Sequence, residues 1–164
     1  MALSGKKIYI ASPFGFTEAG RFFMYERIIP FLANTGIEVI DPWKLTPQHL
    51  IDNVAGINNT DERIRAWQTM NMLIGENNRK GIEASDGLIA VLDGCDVDSG
   101  TAAEIGYAFA LGKKIAGYRS DFRNAGDNEG SAVNIQVEYF IFKSGGKIFS
   151  NLDELLQNID KIFI

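Results

Sequence analysis

Apolar positions along the chain follow two rhythms that alternate from the first residues to the last. Short continuous runs rich in β-branched and aromatic residues predict strands, and stretches with apolar residues every three or four positions predict helices. Residues 6–11 read as a buried strand stopped by Ser12-Pro13. Residues 18–34 read as a helix with Phe22, Phe23, Ile28, Ile29 and Leu32 on one stripe, Thr17 as N-cap and Gly36 as its stop, kinked or ended early by Pro30. A second strand, 37–40, closes at Asp41-Pro42, and residues 43–60 form an irregular excursion with one short helix over 48–53. A long helix over 61–84 carries Ile64, Trp67, Met70 or Asn71, Ile74 and Ile82, with acidic residues at its start where the helix dipole favours them. Residues 87–92 are apolar without alternation, as in a central parallel strand covered on both faces. A helix over 98–111, a strand over 114–117, a polar loop over 119–130, a helix over 133–142 and a strand over 147–149 follow. The last helix, 151–163, buries Leu152, Leu155, Leu156 and Ile159. This alternation predicts an α/β fold: a doubly wound, open five-stranded parallel sheet with helices on both faces, in one domain over 1–164.

Composition narrows the function. A chain of 164 residues buries roughly 70% of its unfolded surface on folding. It needs neither disulfides nor a structural metal, and one Cys and one His cannot build the common zinc sites. The charge of −5, with no basic cluster longer than Lys113-Lys114, argues against a nucleic-acid partner. No run of 18 apolar residues suggests a membrane span, and the start Met-Ala-Leu-Ser-Gly-Lys-Lys has no hydrophobic signal region. Together these predict a soluble protein of the reducing cytoplasm. The 17 Gly against 4 Pro fit many tight turns rather than flexible linkers.

In an open α/β sheet, ligands bind beyond the carboxyl ends of the strands, which selects the loops 12–17, 41–47 and 93–99. None carries G-x-G-x-x-G or G-x-x-x-x-G-K-[ST], which argues against a dinucleotide or triphosphate site. Ser99-Gly100-Thr101 opens a helix, and two readings fit it: an anion held on free N–H groups, or ordinary capping and packing. Within 102–111 the only ionisable side chains are Glu104 and Tyr107, amid Ala, Gly, Ile, Phe and Leu. Glu104 is either a solvated residue of an outer helix face or a carboxylate held in an apolar crevice. In the second case the helix dipole favours its charge, burial raises its pKa, and it is suited to attack a carbon losing its leaving group.

Ile8-Tyr9-Ile10-Ala11-Ser12-Pro13-Phe14 and, more specifically, the stretch from Asp98-Ser99-Gly100-Thr101 through Glu104-Ile105-Gly106-Tyr107-Ala108 resemble the nucleoside 2-deoxyribosyltransferases. Gly81-Ile82-Glu83-Ala84-Ser85-Asp86 and Asn134 fall in the order expected of that family, so the resemblance covers most of the chain. It implies a flavodoxin-like or Rossmann-like sheet and transfer of 2-deoxyribose between bases of 2′-deoxynucleosides, without metal or organic cofactor. Glu104 would be the nucleophile at C1′, holding the sugar as an ester, and Tyr9 would orient it. Asp98 would accept hydrogen bonds from sugar hydroxyls beside Gly100, and Phe14 and Phe16 would face the base. Asn134 would reach the sugar of a neighbouring subunit, which implies a homo-oligomer whose sites are completed across the interface. The substrates implied are 2′-deoxynucleosides and free nucleobases. The chain departs from the family where some members place an aspartate that exchanges a proton with the base: here the residue is Asn78, which can hydrogen-bond but not act as an acid. Asp93, at the exit of the central strand, is a better-placed carboxylate than Asp86 at its entry. The end Lys161-Ile162-Phe163-Ile164 also lacks the terminal tyrosine of some members. Trp43 and Trp67 are read as core or interface residues. The rival readings are an N-glycoside hydrolase of nucleosides or nucleoside monophosphates, in which water takes the sugar, and a nucleotide-sensing module without turnover.

Overall fold

The computed structural model describes residues 3–164, so Met1 and Ala2 lie outside the described residues. Five strands form one sheet: β1 (Lys7–Ala11), β2 (Glu38–Ile40), β3 (Gly87–Val91), β4 (Lys114–Tyr118) and β5 (Ile148–Phe149). Their order is β2-β1-β3-β4-β5 and every pairing is parallel. The order reverses between β1 and β3, which puts the ligand-binding crevice of such a sheet at their carboxyl ends.

Side-chain parity divides the core. Ile8 and Ile10 of β1, Ile89 and Val91 of β3, and Ala116 and Tyr118 of β4 face one layer. This layer is closed by the helical rod made of α1 (Glu18–Phe23), a π turn (Met24–Ile28) and α2 (Ile29–Asn34), and by α8 (Leu152–Phe163). Tyr9, Ala11, Leu88, Ala90 and Ile115 face the opposite layer, toward α5 (Thr60–Ala84), α6 (Ser99–Ala110) and α7 (Ile135–Lys143). Because successive strand residues point to opposite faces, the register Tyr9↔Leu88 decides that Tyr9 faces α6. The burial of Leu155 and Ile159 in α8, at about 1.5–3 kcal/mol for each large apolar side chain, anchors the first layer.

The alternation predicted from the sequence is present, with differences in detail. Pro30 does not end the first helix. The hydrogen bonding slips to i→i+5 just before it, Ile29 N–H donating to Met24 O, and the rod continues to Asn34 with Thr17 as N-cap. Phe22, predicted on the buried stripe, is 68% exposed, and Met24 is buried with Ile28 and Leu32 instead. The excursion after β2 is more ordered than expected: Asp41 caps a single turn, α3 (Pro42–Leu45), and α4 (Gln48–Ala55) follows. In α5, Met70 and Ile82 are buried but Ile64 is 52% exposed. The helix meets β1 at Gly81, so Ile64 lies about 25 Å farther along it. Among the described residues no helix is long and apolar enough to cross a membrane.

Candidate active site

At the β1/β3 switch lies a cavity of about 420 Å³. β1 delivers Ser12 at its exit, the turn after it Phe16, and α3 with the residues beyond it Pro42, Trp43 and Thr46. Ile51 of α4 and Asn71, Ile74 and Asn78 of α5 form one side, and Asp98, Gly100, Thr101 and Glu104 of the β3–α6 segment form the other.

The Glu104 carboxylate is the chemical centre of this wall. Tyr9, buried on β1, donates its hydroxyl proton to Glu104 Oε1 at 2.5 Å. Strand and helix thus converge on one hydrogen bond because β1 parity and the helical position of residue 104 face the same layer. Burial pushes the Glu104 pKa up to about 7; the Tyr9 hydrogen bond pulls it back and the Asp98 charge adds to the rise. The Tyr9 phenol is held far above its ordinary pKa by burial and by the Glu104 and Asp41 charges, and stays a donor. Glu104 is therefore the inward carboxylate of the two alternatives and not the solvated one.

Asp98 caps α6: its Oδ2 accepts from Thr101 N at 2.9 Å and from Thr101 Oγ1 at 3.1 Å, while the residue still lines the cavity. The helix start that could have held an anion thus already faces a carboxylate. Asn78 presents its amide in the α5 wall, and its buried Oδ1 has no hydrogen-bond partner. A buried polar atom left unpaired by the fold is costly and uncommon. Phe16 is 71% exposed at the mouth and meets Trp43 edge to face, with ring centroids 4.8 Å apart at 86°.

The structure does not bring all the expected residues here. Phe14 packs into the opposite layer, edge-on to Phe23 at 6.0 Å. Asp93 turns away from the cavity: its carboxylate accepts from Ser120 N and Oγ and from Asp121 N. Asn134 caps α7, accepting from Gln136 N at 3.0 Å, and is not in the wall of its own chain's cavity. Trp43, read as a core or interface residue, lines the cavity instead. It lies so close on the turn after β1 that a Cβ at Gly15 would stand 2.0 Å from its ring, so only glycine fits there. The buried Asp41 holds this corner, accepting from Tyr25 Oη at 2.9 Å and from Trp43 N at 3.1 Å. The sequence signal for that corner was the Asp-Pro-Trp directly after a strand, a helix cap placed at a strand's carboxyl end. Asn71 and Ile74 were legible only as members of one more helical stripe, whereas Asn78 was marked in the sequence by the resemblance.

No Lys or Arg lines the cavity. Among the described residues no three His, Cys, Asp or Glu side chains gather as ligands for a metal ion.

Comparison with known proteins agrees with this fold. No curated protein sequence matches the chain. Among solved structures, a conserved protein of Enterococcus faecalis is 24% identical with a TM-score of 0.64, covering 95% of this chain and 98% of that one. A 2-deoxyribosyltransferase of Leishmania mexicana is 22% identical with a TM-score of 0.65, covering 95% and 97%. A CMP N-glycosidase of Clostridium botulinum is 21% identical with a TM-score of 0.56, covering 95% and 99%. At these identities the likeness is one of fold. The sequence model of the nucleoside 2-deoxyribosyltransferases matches residues 8–138, from the strand that carries Tyr9, through α6 with Glu104, into α7. The chain belongs to the nucleoside 2-deoxyribosyltransferase family, and is an enzyme of that kind.

Proposed function

We propose that this chain, as one domain over residues 1–164, transfers 2-deoxyribose between nucleobases through an ester on Glu104. The observation that carries the reading is the Glu104 carboxylate held by the buried Tyr9 hydroxyl in the wall of a cavity without cations.

Glu104 attacks C1′ from the face opposite the base. The C1′–O bond forms as the glycosidic C1′–N bond breaks, and the electron pair leaves with the base nitrogen, which takes up a proton. A second base attacks C1′ on the face the first one left, gives up a proton, and frees the carboxylate. The two inversions retain configuration and the exchange is proton-neutral, as in retaining glycosidases with oxocarbenium-like transition states. Tyr9 fixes the carboxylate, Asp98 accepts from sugar hydroxyls beside Gly100, Phe16 and Trp43 flank the base, and the Asn78 amide hydrogen-bonds its edge. Asn134 acts across a subunit interface in a homo-oligomer, and the enzyme works in the cytoplasm.

The charge of the wall favours nucleosides over nucleotides. A 5′-phosphate would enter a cavity whose lining offers two carboxylates and no cation, and the Thr101 N–H at the start of α6 is already taken by Asp98. This argues against the monophosphate hydrolase and the nucleotide sensor alike. The test is incubation with thymidine and adenine. Deoxyadenosine and free thymine are expected; free deoxyribose in place of a new nucleoside would make the enzyme a hydrolase, and full activity in Glu104→Ala would overturn the mechanism.

A further inference from the structure

The cavity wall on α5 extends beyond Asn78, the residue proposed to meet the base. Asn78, Ile74 and Asn71 stand at i, i−4 and i−7 on α5, one face of the helix, and all three line the cavity. That face runs roughly 10 Å from Asn78 to Asn71. Below Asn78 the space is closed: at Gly81 even a Cβ would meet Leu45 Cδ1 at 2.7 Å and Tyr9 Cε2 at 3.2 Å. The open direction along α5 therefore leads toward its N-terminus, away from the Tyr9–Glu104 hydrogen bond. Ile51 of α4, a helix that packs on α5, lines the same cavity as Ile74. The two isoleucine side chains offer no hydrogen bond to an exocyclic amine or carbonyl and few partners to a water molecule.

The geometry points to an apolar subsite between Ile51 and Ile74 that takes a hydrophobic substituent carried on the edge of the base remote from its glycosidic nitrogen. The inference rests on the proposed placement of the sugar at Glu104 and the base beside Asn78 and Trp43. With C1′ within roughly 3–3.5 Å of the attacking carboxylate oxygen, as a near-attack geometry requires, the base extends up α5. Its far edge then faces the isoleucine pair. The ligand class is a purine or pyrimidine extended by an alkyl or aryl group, and burial of that group against Ile51 and Ile74 supplies affinity that the parent base lacks.

The experiment compares adenine with 6-benzylaminopurine by isothermal titration calorimetry on the intact protein, and as acceptors in base exchange from thymidine. The subsite predicts that the benzyl compound binds at least five-fold more tightly than adenine. Ile74→Trp and Ile51→Trp, which fill the space from opposite sides, are each expected to weaken 6-benzylaminopurine at least ten-fold while keeping adenine within three-fold, so adenine binding reports that the fold survives. A ratio below five in the wild type, or equal losses for both bases in the variants that still bind adenine, would overturn the subsite. Tighter binding of the benzyl compound without any exchange would leave the subsite standing and remove the transferase reading. Exchange with adenine alone and no gain from the benzyl group would do the reverse. Absence of binding by either base would overturn the placement of the base and the subsite with it.

Discussion

Two hollows open at the carboxyl edge of the sheet, and they differ in how their polar side chains are used. The groove beyond β4 and β5 encloses about 750 Å³ and carries Arg119, Asp121, Arg123 and Glu138. Those four side chains are spent within the fold, while Glu129 also lines the groove. The buried Arg119 spends its guanidinium on the carbonyls of Leu92, Gly94 and Arg123. Arg123 pairs with Asp121, whose carboxyl is held well below the usual range by that hydrogen-bonded partner, and Glu138 accepts from Ala132 N. The cavity at β1 and β3 is smaller, at about 420 Å³, yet it holds what the fold leaves unused: the unpaired Asn78 oxygen and a Glu104 carboxyl raised to about 7. Volume marks where a ligand fits. A carboxyl raised by burial, rather than lowered by an ion pair as Asp121 is, marks the candidate for chemistry.

The contrast can be broken by substitution on either side. The largest effect is expected from Glu104→Ala, which should lower base exchange by about 10⁴-fold or more, as removal of a covalent nucleophile does, with an unchanged far-ultraviolet circular dichroism spectrum. A loss below ten-fold would remove Glu104 from the reaction. In the groove, Arg119→Met should leave three carbonyls without their donor and cost about 2–3 kcal/mol of stability, read as a lower urea midpoint. Were the midpoint unmoved, the claim that Arg119 is spent within the fold would fail.

A subtler test uses pH. The attacking form of Glu104 is the anion, so kcat/KM should rise with pH through a limb near 7, the value to which burial raises this carboxyl. Tyr9→Phe removes the hydrogen bond that lowers the Glu104 pKa, and the limb should move to higher pH. Asp98→Asn removes a charge that raises it, and the limb should move to lower pH. Shifts of the same sign in both variants would contradict the electrostatics of the site. The smallest effect belongs to Arg123→Ala: its ion pair with Asp121 is at the surface, and exchange rate and urea midpoint should stay within measurement error.

How much of this was legible in the sequence depends on how local the cause is. The strands were readable because uninterrupted apolar runs such as Gly87–Val91 need nothing beyond themselves to mark a doubly covered strand. Tyr9 and Glu104 were readable as residue types in a motif, and strand parity with helical position does bring them together. Phe14 was not readable, because it lies past the last residue of β1 in a tight turn, where no period says which layer a side chain joins. Asp93 was misplaced because its partners, Ser120 and Asp121, come from a loop 27 and 28 residues later. Trp43 was missed because its setting depends on Gly15 and Asp41, neither of which forms a stripe with it. Ile64 and Phe22 carried the right helical period, but period alone does not say where along a helix the sheet ends.

The central claim is that the sugar passes through a bond to Glu104. It is tested most directly by mixing the enzyme with a 2′-deoxynucleoside in the absence of an acceptor base, quenching rapidly in acid, and sequencing the peptides by mass spectrometry. The mechanism predicts one deoxyribosyl group on Glu104, lost on adding adenine as deoxyadenosine forms. Exchange that proceeds at full rate with no adduct on Glu104, or with the adduct on another residue, would contradict it.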